Sequence, residues 1–142
     1  MSKVRTVSWI LLVVAGALVL VGALASANLA YRGEYRVGGV AVSDVALGRE
    51  VVLAGLRGAR GTAAAWAAAF GLLLVFVAAG PYRHGSVASW WGILVSTLAL
   101  LGLAALRIPL VGTSLGTGEP LVLAVVVLVA LLLDVRRLSA PR

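Results

Sequence analysis

The chain has 142 residues, of which 62% are hydrophobic and 12% are charged. This balance, with a mean hydropathy of +1.10, exceeds what a water-facing surface tolerates and excludes an ordinary soluble domain. The basic residues behind the net charge of +7 are scattered singly, without an aromatic-interleaved basic face. Contact with the headgroups of a lipid bilayer therefore explains them better than a nucleic-acid partner does.

Four long apolar stretches alternate with short segments that carry the charges. A hydrocarbon core of about 30 Å needs about 20 helical residues, or somewhat fewer where the bilayer thins. The sequence therefore predicts an all-α fold, a single integral membrane domain built as a four-helix transmembrane bundle with one longer extracytoplasmic loop. The predicted spans are 7–28, 62–79, 87–106 and 120–135, and the predicted loop is 29–61.

The first span has a second interpretation, because Lys3 and Arg5 precede it and Ala25-Ser26-Ala27 resembles a signal-peptidase site. Cleavage there would leave three spans. The apolar run is longer than the usual signal segment of about 7 to 15 residues and reaches a full span, which favours a retained anchor.

The loop 29–61 contains two weak structural signals. Residues 35–42 alternate around Gly38-Gly39, which indicates a hairpin, and Ser43 before Asp44 could cap a short helix through Leu56. An irregular loop lying on the membrane surface is an equally good interpretation.

The fourth span begins with Glu119 and Pro120, which suit the first turn of a helix. The glycine-rich segment 112–118 before it lacks the lysine of a phosphate-binding loop, so we interpret it as a flexible turn.

The orientation of the spans depends on the Lys and Arg residues of the connections, and their numbers tie. Residues 3, 5, 83, 136, 137 and 142 lie on one side, and residues 32, 36, 49, 57, 60 and 107 on the other. The first group occupies shorter segments, which predicts a multi-pass protein of the cell membrane with both termini in the cytoplasm. The tie also permits dual topology.

Small residues at four-residue spacing mark faces where transmembrane helices approach closely. They could hold the chain's own bundle together, or they could form a contact with a second copy or a membrane-protein partner. The predicted helix-packing residues are Gly22, Ser26, Ala63, Ala67, Gly71, Ala88, Gly92 and Ser96.

Aromatic and basic residues near the span ends are typical of the membrane interface. The predicted interface anchors are Trp9, Trp66, Tyr82, Arg83, Trp90 and Trp91.

Chemistry-bearing residues are sparse. His84 stands alone in the turn 80–85, and Ser96 and Thr97 can return their hydroxyl groups to the preceding helical turn. Asn28 lies at a span end. We therefore predict no catalytic residues, no cofactor and no metal site.

The segments Arg57-Gly58-Ala59-Arg60-Gly61 and Pro81-Tyr82-Arg83-His84-Gly85, each followed by tryptophan, resemble uncharacterised small four-span bacterial membrane proteins. The resemblance implies a four-span fold with both ends inside, and no catalytic residues. The predicted function is a non-enzymatic membrane protein with a structural or partner-binding role. The alternative is a small oligomeric transporter or channel, suggested by the charge tie and by Ser96 and Thr97.

Overall fold

The fold is described by a computed structural model for residues 3–111 and 118–139. Helices account for 86% of these residues, which confirms the all-α class. Three helices are long and apolar enough to cross a membrane, at 5–32, 50–82 and 87–110. A further apolar helix, Gly118–Leu133, has 16 residues and is shorter than the other three. The structure thus has three helices that could span a membrane, and the four-span count stays a prediction.

The elements follow one another with few intervening residues. Two short strands and a short helix separate the first two long helices, and a π-helical turn, Ala78–Tyr82, ends the second before the third begins at Val87. A 3-10 helix, Val135–Ser139, follows the helix Gly118–Leu133. In chain order the elements are α1 (Lys3–Arg32), β1 (Arg36–Val37), β2 (Val40–Ala41), α2 (Val42–Val45), α3 (Glu50–Val77), α4 (Val87–Val111) and α5 (Gly118–Leu133).

The chain forms two compact units. The terminal unit comprises Met1–Gly16 with Leu73–Arg142, and the hairpin unit comprises Ala17–Leu72. The N-terminal part of α1 belongs to the terminal unit, while the rest of α1 and most of α3 belong to the hairpin unit.

The predicted hairpin is confirmed in the hairpin unit. Strands β1 and β2 are antiparallel, with Arg36 opposite Ala41 and Val37 opposite Val40. Gly38 and Gly39 both have positive φ, 59° and 88°. Because two successive left-handed residues match the twist of the flanking strands, this glycine pair closes the hairpin without strain. These residues are therefore ordered, and the interpretation as an irregular surface loop does not hold for them.

The connection between the first two long helices is shorter than the predicted loop 29–61. Helix α1 continues to Arg32, and α3 begins at Glu50 rather than at residue 62. Residues 50–61 contain no proline, and Glu50 complements the positive end of the helix dipole. The arginines of this segment favour a loop in the sequence, but arginine is also a good helix former.

The predicted helix from Ser43 through Leu56 is interrupted. Helix α2 ends at Val45, and Leu47 and Gly48 then adopt positive φ of 50° and 71°, which no α-helix accommodates. Ser43 does not cap α2, because its hydroxyl group donates to the Glu34 carboxylate instead.

The terminal unit is built around α4 and α5, which pack along each other, with the π-helical turn against α4. The turn is broken at Gly80, whose φ and ψ are −93° and −108°, and Pro81 follows it. The tight connection expected over 80–85 is therefore present. The largest fully buried side chains of this unit are those of Tyr82, Leu12, Leu131, Val127, Thr97 and Ser8.

The ends of the third predicted span and the fourth also differ from expectation. Helix α4 continues past residue 106, through Pro109, to Val111. Helix α5 ends at Leu133 and carries Glu119 in its first turn, as predicted. Of the glycine-rich turn predicted at 112–118, residues 112–117 lie outside the described residues.

Candidate functional site: a capped helix end beside the Pro81 turn

Buried polar groups of the terminal unit meet at the C-terminal end of α5. The last four carbonyl groups of an α-helix have no partner within the helix, so those of residues 130–133 need other donors. The Ser8 hydroxyl, on α1, donates to the Ala130 carbonyl oxygen at 2.7 Å. The Trp90 indole Nε1, on α4, donates to the Leu131 carbonyl oxygen at 3.1 Å. Two neighbouring helices thus supply side-chain donors to the first two of these carbonyls, those of Ala130 and Leu131.

Tyr82 extends this arrangement to the Pro81 turn. Its hydroxyl oxygen lies 2.7 Å from Ser8 Oγ, and both side chains are fully buried. Ser8 has one hydroxyl proton, and a carbonyl oxygen can only accept, so that proton goes to Ala130. Tyr82 is therefore the donor to Ser8. The resulting chain of hydrogen bonds joins the turn after α3, helix α1 and helix α5.

The residues that follow α5 also contribute to capping its C-terminal end. The Asp134 main-chain N–H also donates to the Leu131 carbonyl oxygen, at 3.1 Å, and the 3-10 helix follows. A carbonyl oxygen has two lone pairs, so Leu131 can accept from both Asp134 and Trp90. Asp134 itself is buried, with 8% of its surface exposed.

Arg5 fixes the tight turn at the same end of the unit. Its Nη2 donates to the Arg83 carbonyl oxygen at 3.0 Å. The guanidinium group passes close to Gly85, where a Cβ atom would lie 2.6 Å from Nη2. Gly85 also has a φ of +99°. The backbone conformation thus favours a glycine here, and the absence of a side chain leaves room for the Arg5 guanidinium group.

Arg83 and His84 point outward from this turn. The Arg83 guanidinium carbon lies 4.9 Å from the centre of the Trp9 ring, within the range of a cation–π interaction. The His84 Nδ1–H donates to the Gly80 carbonyl oxygen at 2.8 Å, because the carbonyl can only accept. Both Arg83 and His84 are exposed.

The predicted interface anchors divide into two groups. Trp66 and Trp91 are 74% and 50% exposed and Trp9 is partly buried, whereas Tyr82 and Trp90 are 0% and 6% exposed. Tyr82 and Trp90 are therefore buried within the terminal unit, and their role as interface anchors stays a prediction. An amphipathic ring can meet its polar needs either at the interface or through a buried hydrogen bond, and these two do the latter.

The predicted helix-packing residues differ in how deeply they are buried. Gly71 is buried, and Ser26 and Ala67 are partly buried. A Cβ atom on Gly22 or Gly92 would meet no neighbouring atom within 4 Å. The exposed members of the set are Gly22, Ala63, Ala88, Gly92 and Ser96.

A second polar cluster lies in the hairpin unit. Arg60 Nε, on α3, donates to Ser26 Oγ on α1 at 3.1 Å. The Arg60 guanidinium carbon lies 4.3 Å from the centre of the Tyr35 ring, which is buried beside the hairpin. One residue further along α3, a Cβ atom on Gly61 would overlap the Tyr31 phenol ring. This cluster ties two helices and the hairpin together.

The role of Ser8 has no strong sequence signal, since it is one hydroxyl group at the edge of an apolar span.

Asn28 lies in a shallow, open groove with Leu24, Ala25 and Leu29. Thr97 behaves as predicted, because its hydroxyl donates to the Ile93 carbonyl oxygen of the preceding turn at 2.8 Å.

The arrangement is suited to holding helices together. Carbonyl oxygens accept the Ser8 hydroxyl proton and the Trp90 indole proton, so neither group is set up to attack a substrate. Within residues 3–111 and 118–139, no group of three His, Cys, Asp or Glu side chains could hold a metal ion.

No protein family, curated protein or solved structure matched the chain when it was compared with all three.

Proposed function

We propose that this chain is a non-enzymatic, multi-pass membrane protein that acts by binding a second copy or another membrane protein through a helix face. The observation that carries this proposal is the open face of α4 formed by Ala88, Gly92 and Ser96, which we call the small-residue face. All three residues are exposed, and Gly92 has open space where a side chain would stand.

The opposite side of α4 is already in use. Trp90, Ile93 and Thr97 are 6%, 6% and 1% exposed, and α4 packs along α5. The small-residue face is therefore left over after the internal packing of the terminal unit. In lipid, helices associate by close van der Waals packing, and small residues permit the closest backbone approach. These facts favour a contact with a helix of another molecule.

We further propose that α5 is a fourth span and that both termini are cytoplasmic. At about 1.5 Å per residue, the 16 residues of α5 extend about 24 Å, less than the hydrocarbon thickness of about 30 Å. A helix that ends inside the apolar phase must have its last carbonyls satisfied by protein groups. Ser8 and Trp90 supply such groups, which supports a short fourth span.

Crosslinking of the full chain in membranes tests the partner contact. Gly92→Ile would fill the small-residue face and should abolish a crosslinked dimer or a crosslinked complex with a partner. Gly58→Ile, at another helical glycine with no neighbouring atom within 4 Å, is the matched control and should leave the complex intact. Equal crosslinking of both variants and the parent protein would contradict the proposal.

Reporters fused to the N-terminus and to the C-terminus test the topology. Cytoplasmic reporters at both ends would support four spans, whereas opposite sides would indicate an odd number. A C-terminal reporter on both faces of the membrane would instead favour a dual-topology transporter.

A further inference from the structure

We propose that Arg83, held on the Trp9 ring and assisted by Arg5, binds the phosphate group of an anionic phospholipid. This site is separate from the small-residue face, and it rests only on the location of the chain in a membrane.

Arg83 has a side chain that is positioned but still able to bind. The residue is exposed, and its guanidinium carbon lies 4.9 Å from the centre of the Trp9 ring. Among the residues that the structure describes, no hydrogen bond or ion pair engages this guanidinium group. The planar fork of donors in arginine matches the oxygen atoms of a phosphate group. The contact with Trp9 limits the freedom of this side chain before a ligand binds.

Arg5 holds the backbone of this turn and brings a second positive charge to it. Its Nη2 donates to the Arg83 carbonyl oxygen at 3.0 Å, and it lies beside Gly85, which leaves room for it. The position of Arg83 relative to α1 is thus set by Arg5 on one side and Trp9 on the other. A turn built in this way presents a preorganised cationic surface, since little side-chain freedom is lost on binding.

The surroundings indicate a lipid as the source of the phosphate. The turn follows the C-terminal end of α3 and contacts the N-terminal turns of α1. Both helices are apolar and long enough to cross a membrane, and lipid headgroups lie where spans end. The first turns of α1 also expose Val7, Ile10 and Val14, at 49%, 42% and 48%. Acyl chains can contact these residues while the headgroup contacts Arg83, which a free phosphate ion cannot do.

The test is a titration of the purified full chain in a zwitterionic detergent with phosphatidylglycerol, followed by native mass spectrometry. Phosphatidylglycerol should bind more tightly than phosphatidylcholine. One basic side chain near a membrane surface strengthens the binding of anionic lipid through its charge. We therefore expect Arg83→Gln to weaken the affinity for phosphatidylglycerol about fivefold. Arg36→Gln removes the same charge from an exposed position on the hairpin and should have no effect.

Two further measurements separate lipid recognition from simple charge attraction. Arg83→Lys keeps the charge but loses the planar fork, so it should fall between the parent and Arg83→Gln. Equal lipid binding by the parent and Arg83→Gln would overturn the proposal. So would equal affinity for inorganic phosphate and for phosphatidylglycerol, because the site would then recognise the ion alone. Crosslinking through the small-residue face should be the same in the parent and Arg83→Gln, so failure of one proposal does not imply failure of the other.

Discussion

The Trp90 indole nitrogen donates a hydrogen bond to the main-chain carbonyl of Leu131, across 3.1 Å between α4 and α5. Trp90 is 6% exposed, and Leu131 lies in the last turn of α5. The tryptophan therefore combines two tasks, since its ring packs between helices while its nitrogen caps the end of one of them. Such a cap matters more in lipid than in water, because lipid offers no replacement donor.

Trp90→Phe should destabilise the protein by about 1–2 kcal/mol, since it removes the donor to Leu131 and leaves a smaller ring in a packed position. The loss is limited because the Asp134 N–H still donates to the same carbonyl. Denaturant titration in detergent micelles measures it. Trp91→Phe changes a neighbouring ring that is 50% exposed, and should have little effect. Equal losses in both variants would show that the indole nitrogen does not matter.

Ser8→Ala should cost more than Tyr82→Phe, although the two residues share one hydrogen bond. Without Ser8, the Ala130 carbonyl loses its donor and the Tyr82 hydroxyl loses its acceptor, for about 1–3 kcal/mol per buried group. Without the Tyr82 hydroxyl, Ser8 still donates to Ala130. The double variant should lose less than the sum of the two single variants, because the interaction they share can be removed only once. The same denaturant titration decides this, with Thr62→Val, which removes an exposed hydroxyl group, as the neutral control.

Gly85→Ala should destabilise the turn by about 1–3 kcal/mol, because a φ of +99° strains any residue with a Cβ atom. The added Cβ would also lie 2.6 Å from Arg5 Nη2, so the end of the Arg5 side chain must shift. Gly58→Ala is the control, since that helical glycine has open space and gains helix propensity of up to about 1 kcal/mol. Thermal unfolding of both variants in micelles compares them. An unchanged Gly85→Ala protein would mean that the turn tolerates a different conformation.

The features that the sequence predicts well are those set by local chemistry. The absence of charge from long stretches predicts membrane helices because the bilayer excludes charge. The pair Gly38-Gly39 predicts a hairpin because few other residues adopt two successive positive φ angles. The break after α2 is harder to predict, because leucine rarely adopts the left-handed conformation that Leu47 has before Gly48.

The features that the sequence predicts poorly depend on which helices become neighbours. Arg60 looks like a loop residue in the sequence, but in the structure it lies in α3 with Ser26 and Tyr35 as partners. Tyr82 suits either a membrane interface or a buried hydrogen bond, and the choice depends on Ser8, far away along the chain. The carbonyl groups that Ser8 and Trp90 cap have no sequence signature at all, because every residue has a carbonyl.

Arg60→Lys should loosen the hairpin while keeping the positive charge. Lysine lacks both the planar group that stacks 4.3 Å from the Tyr35 ring centre and the Nε that donates to Ser26. A cation–π contact at a partly exposed site contributes about 0.5–1 kcal/mol, so local opening should become up to about fivefold more frequent. Hydrogen exchange of the Val42 amide reports this opening, since that N–H donates to the Tyr35 carbonyl at 2.9 Å.

The control for Arg60→Lys is Arg36→Lys, at an exposed position on β1. Both variants keep the charge and change the same side chain, so an effect of lysine itself on the hairpin should show in each. Faster exchange at Val42 in Arg60→Lys alone would assign the effect to the Ser26 and Tyr35 contacts. Equal exchange in both variants would mean that the main-chain bonds of the hairpin hold it without Arg60. Arg60 would then serve only to join α3 to α1 through Ser26.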